Sequence, residues 1–235
     1  QNISTEDVVK ALVDLKLPFN PRNYQVDAIR DGINDKRLVM LSPTGSGKSL
    51  IIYVLIKYYL SMLSSGIQKV LIVVPTTSLV DQMYNDFADY GMLVENGCHK
   101  IYSGKEKMTN AAVVISTWQS IYKLPGKWFE QFGCVIGDEC HGFKSKSLNS
   151  IMNKAREAEY RWGTTGTLDG TQTHELVLQG LFGKIYNVTT TKKLQDNDTL
   201  AKLNISVIKL KYPEELRKNR GVQTYQEEID LIVRN

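Results

Sequence analysis

The sequence has no CxxC pair. Its three cysteines, Cys98, Cys134 and Cys140, are an odd count with scattered spacing. That argues against a disulfide framework and a thiolate zinc site, and it suits a reducing compartment. No run of about 18 apolar residues occurs, so no membrane-spanning helix is predicted, and no secretory signal pattern opens the chain. Internal repeats and low-complexity tracts are also missing. Charge of one sign is scarce: a formal net charge of +4 over 235 residues neither demands nor excludes a polyanionic partner, because placement decides. What is present is a 42% hydrophobic content, enough to bury the core of one large α/β domain without disulfides or metal. The chain begins at Gln1 and ends within a helical pattern, so a piece of a longer protein is expected.

Ser4-Thr5-Glu6-Asp7 predicts a helix start, with hydroxyls to accept from free N–H groups and acids favoured in the first turn. Val8, Val9, Leu12, Val13 and Leu15 then make a helical apolar stripe. Pro18 and Pro21 interrupt the chain, and Pro21 predicts the opening of a second helix that runs to about Gly32. From there strands alternate with helices. Buried strands are predicted at 38–41, 70–74, 112–116, 134–137 and 160–164, with helices at 48–63 and 78–89 and a stop at Ser64-Ser65-Gly66. A late strand is expected over 203–210 and a last helix from Tyr225. Near-continuous apolar strands separated by helices predict an α/β fold, a parallel sheet with helices on both faces.

Between the first strand and its helix stands Ser42-Pro43-Thr44-Gly45-Ser46-Gly47-Lys48-Ser49. Phosphates need inward-pointing backbone N–H groups, and Gly45 and Gly47 free the turn to provide them. The following helix aims its positive end at the same anion. This predicts a P-loop that holds ATP, with Lys48 on the β and γ phosphates and the Ser49 hydroxyl on Mg²⁺. It departs from G-x-x-x-x-G-K-[ST] at the first position, which is Ser42.

Asp138-Glu139-Cys140-His141 follows the strand at 134–137. A P-loop site needs an acid at a neighbouring strand end to hold the metal through water, and Asp138 fits. Glu139 can orient an attacking water or take its proton. Strand ends of a parallel sheet converge on one edge, which would bring the two motifs together.

In this order the segments resemble superfamily 2 helicases, whose P-loop is motif I and whose DExH box matches residues 138–141. Arg22-Asn23-Tyr24-Gln25 resembles the segment in which a Gln recognises adenine, so Gln25 takes that place. Pro75-Thr76-Thr77-Ser78-Leu79-Val80 resembles motif Ia, and Ser116-Thr117-Trp118-Gln119-Ser120 lies where motif Ib is found. Thr165-Gly166-Thr167 stands where motif III, usually Ser/Thr-Ala-Thr, couples hydrolysis to nucleic-acid contact. The resemblance covers residues 21–191 and implies a RecA-like P-loop NTPase lobe. It makes Lys48, Asp138, Glu139 and His141 the catalytic set. Residues 1–20 would be an N-terminal helix and linker, 21–212 the lobe, and 213–235 a linker with the start of a second lobe.

Trp118-Gln119, the run Lys127-Trp128-Phe129-Glu130-Gln131-Phe132-Gly133, the DExH box and Thr224-Tyr225-Gln226-Glu227-Glu228-Ile229 narrow the likeness to phage recombination helicases. That family remodels branched DNA and R-loops with ATP and Mg²⁺, which implies DNA as partner, RNA in hybrids, and the cytoplasm of an infected bacterial host.

Thr76, Thr77 and Ser78 can bind backbone phosphate, although Thr77 or Ser78 can equally serve as a helix cap. Thr117 lies at the next strand end, and Trp118 can stack on a base or join the core. Gly104-Lys105-Glu106-Lys107 and Lys144-Ser145-Lys146 add charge that suits either phosphate or solvent. Such helicases close ATP between two lobes, and arginines on the second stabilise the transferring phosphate. No candidate for those arginines follows Thr224, so residues 1–235 alone are expected to bind nucleotide but hydrolyse it slowly. The motifs leave open an RNA helicase, an ATP-gated clamp that never unwinds, and a P-loop kinase, in which the likenesses to Ia, Ib and III would be coincidence.

Overall fold

A computed structural model describes residues 2–63, 68–142, 145–168, 172–197, 199–201 and 206. The chain divides into two compact units, Gln1–Leu200 and Ala201–Asn235, and the elements described below belong to the first. The helix stop at 64–66, the late strand at 203–210 and the last helix from Tyr225 lie outside the described residues, Ser206 apart.

Helix α1 (Thr5–Asp14) starts as its sequence predicts: Ser4 caps it, and Asp7 returns the bond in a capping box. Its apolar stripe is narrower than expected. Val8 and Leu12 are buried, whereas Val9 and Val13 are 47% and 72% exposed. Helix α2 (Asn23–Asp35) begins two residues after Pro21, because Gln25 caps it by accepting from the Arg22 N–H at 2.8 Å.

Strand β1 (Arg37–Leu41) then leads to α3 (Lys48–Ser61), β2 (Lys69–Val74) and α4 (Thr77–Asp89). A short α5 (Val94–Gly97) precedes β3 (Cys98–Ile101) and β4 (Val113–Thr117). Two more short helices, α6 (Trp118–Ile121) and α7 (Gly126–Phe129), bring the chain to β5 (Phe132–Gly137). A 3-10 turn at Cys140–Gly142, α8 (Ser145–Lys154), β6 (Tyr160–Thr165), α9 (Gln172–Phe182), β7 (Lys184–Asn187) and α10 (Thr191–Asp196) complete the unit.

The seven strands form one sheet in the order β3-β4-β2-β5-β6-β1-β7, and every pairing is parallel. The five expected strands are its centre. The two additional ones, β3 and β7, are its edges, four residues each and interrupted by half-exposed His99, Lys100 and exposed Lys184. Edge strands need no continuous apolar run, so their sequences carry no such signal.

Strand pleating sends alternate side chains to two cores. Leu38 and Met40 join one with α1, α2 and α3, while Val39, Leu71 and Val135 join the other with α8 and α9. Phe182 of α9 packs over β5 and β6, where Gly137 and Gly163 make room. A Cβ on Gly137 would come within 2.9 Å of the Phe182 ring. All strand C-termini therefore lie on one edge, with those of β5, β6 and β1 side by side. Among the described residues no helix is long and apolar enough to cross a membrane.

Candidate functional site

The loop from β1 to α3 wraps around an open space at that edge. Ser42 continues the sheet by donating its N–H to the Thr165 carbonyl at 2.8 Å. Its buried hydroxyl meets that of Ser46 at 2.5 Å, and Ser46 Oγ donates to the Pro43 carbonyl at 2.6 Å. The serine at the position usually held by glycine thus ties the loop across its base. Gly45 and Gly47 have φ of +82° and +78°, and Gly47 stands at the N-terminus of α3. A side chain on Gly47 would strain this backbone, and its Cβ, 2.3 Å from Gln25 Nε2, would also displace that amide.

Gln25 is buried against this loop rather than turned outward. Its Nε2 donates to the Ser46 carbonyl at 2.9 Å, and the Tyr24 hydroxyl donates to the same carbonyl at 3.1 Å.

Lys48 and Glu139 form an ion pair across the site. Glu139's other oxygen accepts from the Gly166 N–H at 3.2 Å and lies 3.4 Å from His141 Nδ1. The P-loop, the acidic box and Thr165-Gly166-Thr167 therefore meet at one carboxylate. Glu139 holds φ +49°, a left-handed conformation rare outside glycine, which aims its side chain at that junction. His141 Nδ1 lies 2.6 Å from Thr165 Oγ1, which itself donates to the Thr167 carbonyl at 2.7 Å. With the threonine proton spent, His141 Nδ1 is the donor in that contact.

Asp138 is only 5% exposed and accepts from the Thr164 hydroxyl. Burial pushes its carboxyl pKa up, against the opposing pull of Thr164 and Lys48. Cys140 is buried on the far side against Phe182, its thiol pushed up to about 12 by burial, so it packs rather than reacts.

A cleft of about 320 Å³ opens between the loop, Asp138, Glu139 and one face of α4. That face contributes Leu79, from the motif Ia stretch, and Gln82, Met83 and Asp86, which sequence reasoning did not select. Just past the helix end, the Tyr90 hydroxyl lies 2.8 Å from Ser49 Oγ. The i, i+3, i+4, i+7 spacing of these side chains was the available signal, since it places them on one helix face.

The residues suit a hard cation. Ser49 and Asp138 both line the cleft with oxygen, and among the described residues no cluster of three or more His, Cys, Asp or Glu forms a protein-only metal cage. Mg²⁺ is ordinarily held in this way, by one or two protein oxygens plus substrate phosphates and water.

The ends of β2 and β4 differ. Thr76, Thr77 and Ser78 are exposed, and the cap of α4 is Thr76, which accepts from the Leu79 N–H at 3.4 Å, rather than Thr77 or Ser78. Thr117 is buried with its hydroxyl bonded to Ser120 at 2.8 Å. Trp118 is half-buried, edge-on to Tyr122.

A protein-family model described as "Type III restriction enzyme, res subunit" matches residues 18–170. The ATP-dependent DNA helicase uvsW of Enterobacteria phage T4 is 38% identical over 218 residues, 91% of this chain and 43% of that protein. The DNA 3'-5' translocase XPB2 of Sulfurisphaera tokodaii is 29% identical over 62% of this chain and 30% of its own length. The crystal structure of T4 UvsW superposes with a TM-score of 0.73 at 34% identity, covering 99% of this chain and 46% of that one. The chain thus spans less than half the length of the curated relatives it matches.

Proposed function

The chain belongs to the family described as "Type III restriction enzyme, res subunit", and from that premise we propose that it is the ATP-binding lobe of a DNA helicase that remodels branched DNA. Its RecA-like fold is that of the first lobe of superfamily 2 helicases. The observation that carries the reading is the meeting of three motifs at Glu139, with Lys48 on one oxygen and the Gly166 N–H on the other. The T4 and Sulfurisphaera tokodaii relatives are each named for work on DNA, which favours DNA over RNA. The phage kinship favours an infected bacterial cytoplasm as the setting.

In this reading the P-loop N–H groups and the start of α3 take the β and γ phosphates of ATP, with Gln25 on the adenine side. Lys48 leaves Glu139 for the phosphates, because a polyanion attracts it more strongly than one carboxylate does. Glu139, released, orients a water in line with the γ phosphorus and accepts its proton as the new P–O bond forms. The bond to the β-phosphate oxygen breaks, and ADP is the leaving group. Mg²⁺, held by Ser49 and through water by Asp138, would supply positive charge to the phosphate oxygens. His141 and Thr165-Gly166-Thr167 relay the state of the site towards nucleic acid, held at Thr76, Thr77 and Ser78. Thr117 and Trp118, at the end of the neighbouring strand β4, continue that surface sideways. Residues 21–212 would form the lobe, and 213–235 would lead to a second lobe that closes on ATP.

ATP turnover and strand displacement by the full-length protein, measured on forked DNA, Holliday junctions, R-loops and RNA, test the proposal. Stimulation and unwinding with branched DNA are expected, both lost in Lys48→Ala. Unwinding of RNA alone would move the protein to the RNA class, and stimulation without any unwinding would make it a clamp.

A further inference from the structure

We infer that Tyr90, assisted by Asp86, is a positioning residue for the Ser49 hydroxyl, fixing the direction in which that oxygen offers a free electron pair to the divalent cation that accompanies the nucleotide. The inference rests on the ATP-site reading above and extends it to residues outside every motif so far described. Its basis is the 2.8 Å bond between Ser49 Oγ and the Tyr90 hydroxyl, formed across 41 residues of sequence.

A serine hydroxyl offers one proton and two electron pairs, and it rotates unless something holds it. A cation needs an electron pair, so a hydroxyl whose proton faces the cleft is a poor ligand. Here both possible arrangements turn the proton towards α4. If Ser49 donates to Tyr90, its proton already points to the helix side. If Tyr90 donates, one Ser49 electron pair is taken and the other is left, and the Asp86 carboxyl, which lines the cleft one helical turn earlier, offers an acceptor on the α4 side. In both cases an electron pair is left for the cleft.

Tyr90 is itself held firmly enough to act as a fixed point. Its ring stands edge-on to Tyr53 and Phe19, with centroids 5.3 Å and 5.7 Å away. Its N–H donates to the Asp86 carbonyl at 3.0 Å and closes the last turn of α4.

The test is a titration of a fluorescent ATP analogue into the full-length protein, first in EDTA and then across Mg²⁺ concentrations. Tyr90→Phe keeps the ring and removes the hydroxyl. It should move the Mg²⁺ midpoint upward by about tenfold, the low end for losing a group that orients a metal ligand. Asp86→Asn should shift it the same way by less, and it carries the test if Tyr90→Phe fails to fold. Tyr53→Phe removes a hydroxyl from the same aromatic cluster and should not move the midpoint. An unchanged midpoint in Tyr90→Phe makes Tyr90 a packing residue and overturns the inference. A lowered one makes it a competitor for Ser49 and does the same. Failure of the parent protein to bind the analogue at all overturns the ATP-site reading and takes this inference with it.

Discussion

At the ends of β1, β5 and β6 the polar side chains are buried and bonded to one another, whereas at the end of β2 they stand in solvent. Ser42, Ser46, Asp138, Thr164 and Thr165 are all buried. Thr76, Thr77 and Ser78, at the end of the strand next to β5 on the same edge, are exposed and bonded only locally. The contrast follows from what each half is proposed to hold. A phosphoryl-transfer site gains from fixed dipoles and charges kept from water, where each is worth more. A motor moving along a polymer needs contacts that read the backbone and let go, which exposed hydroxyls at a helix start supply.

The change that strikes hardest at the buried half is Glu139→Gln. It removes the proton acceptor and the ion pair with Lys48 while keeping the side-chain shape. Turnover by the full-length protein should fall by about 10²- to 10⁴-fold, the usual worth of a general base. Nucleotide binding, measured by titration, should persist. Unchanged turnover would remove Glu139 from that role.

Asp138→Asn sharpens the comparison by separating function from stability. Burial raises the Asp138 pKa, so the folded protein keeps this proton to higher pH than the unfolded chain does. Stability from this group is therefore lost as pH rises from the unfolded value through the raised folded one. Asparagine keeps an oxygen for Thr164 and never ionises. The variant should gain about 0.5–2 kcal/mol at neutral pH while turnover collapses, the trade typical of a strained functional site. Urea melts across pH measure it, and a less stable variant would show that the charge is compensated in the folded state.

The exposed half should respond differently. Thr76→Ala removes the α4 cap and should cost about 1 kcal/mol of stability. If the hydroxyl also meets phosphate, DNA affinity should fall alike for all sequences. The slope of affinity against salt should stay put, because a neutral contact releases no counterions. A steepened or flattened slope in filter-binding or anisotropy titrations would point to rearranged lysines instead.

How far this contrast could be read from the sequence depends on distance along the chain. The central strands announce themselves as apolar runs, and the loop at 42–49 by its glycines between strand and helix. Thr117 shows where such reading stops. A hydroxyl residue at a strand end suggests phosphate, yet Thr117 is buried with its hydroxyl bonded to Ser120. Gln25 shows the same limit, since its place in a motif does not reveal that its amide is already bonded to the loop it flanks. The link from Ser49 to Tyr90 was invisible for a further reason: it depends on how α4 packs beside α3, which no local pattern encodes.

Gly166→Ala probes the junction of the two halves most gently. The motif that this segment resembles has alanine in the middle place, and the structure says what a methyl group would meet. Its Cβ would lie 3.8 Å from Lys48 Nζ and from the Ser42 carbonyl, and 3.9 Å from Glu139 Oε2, all ordinary contact distances. Gly166 is not among the glycines with positive φ, so the backbone accepts the change. The N–H that binds Glu139 is retained as well. Stability should stay within about 0.5 kcal/mol of the parent, and turnover should be nearly unchanged, by thermal melts and steady-state assays. A large loss would mean that this position must move further than van der Waals contact allows when nucleotide binds. The glycine would then be a hinge between the buried half and the exposed one.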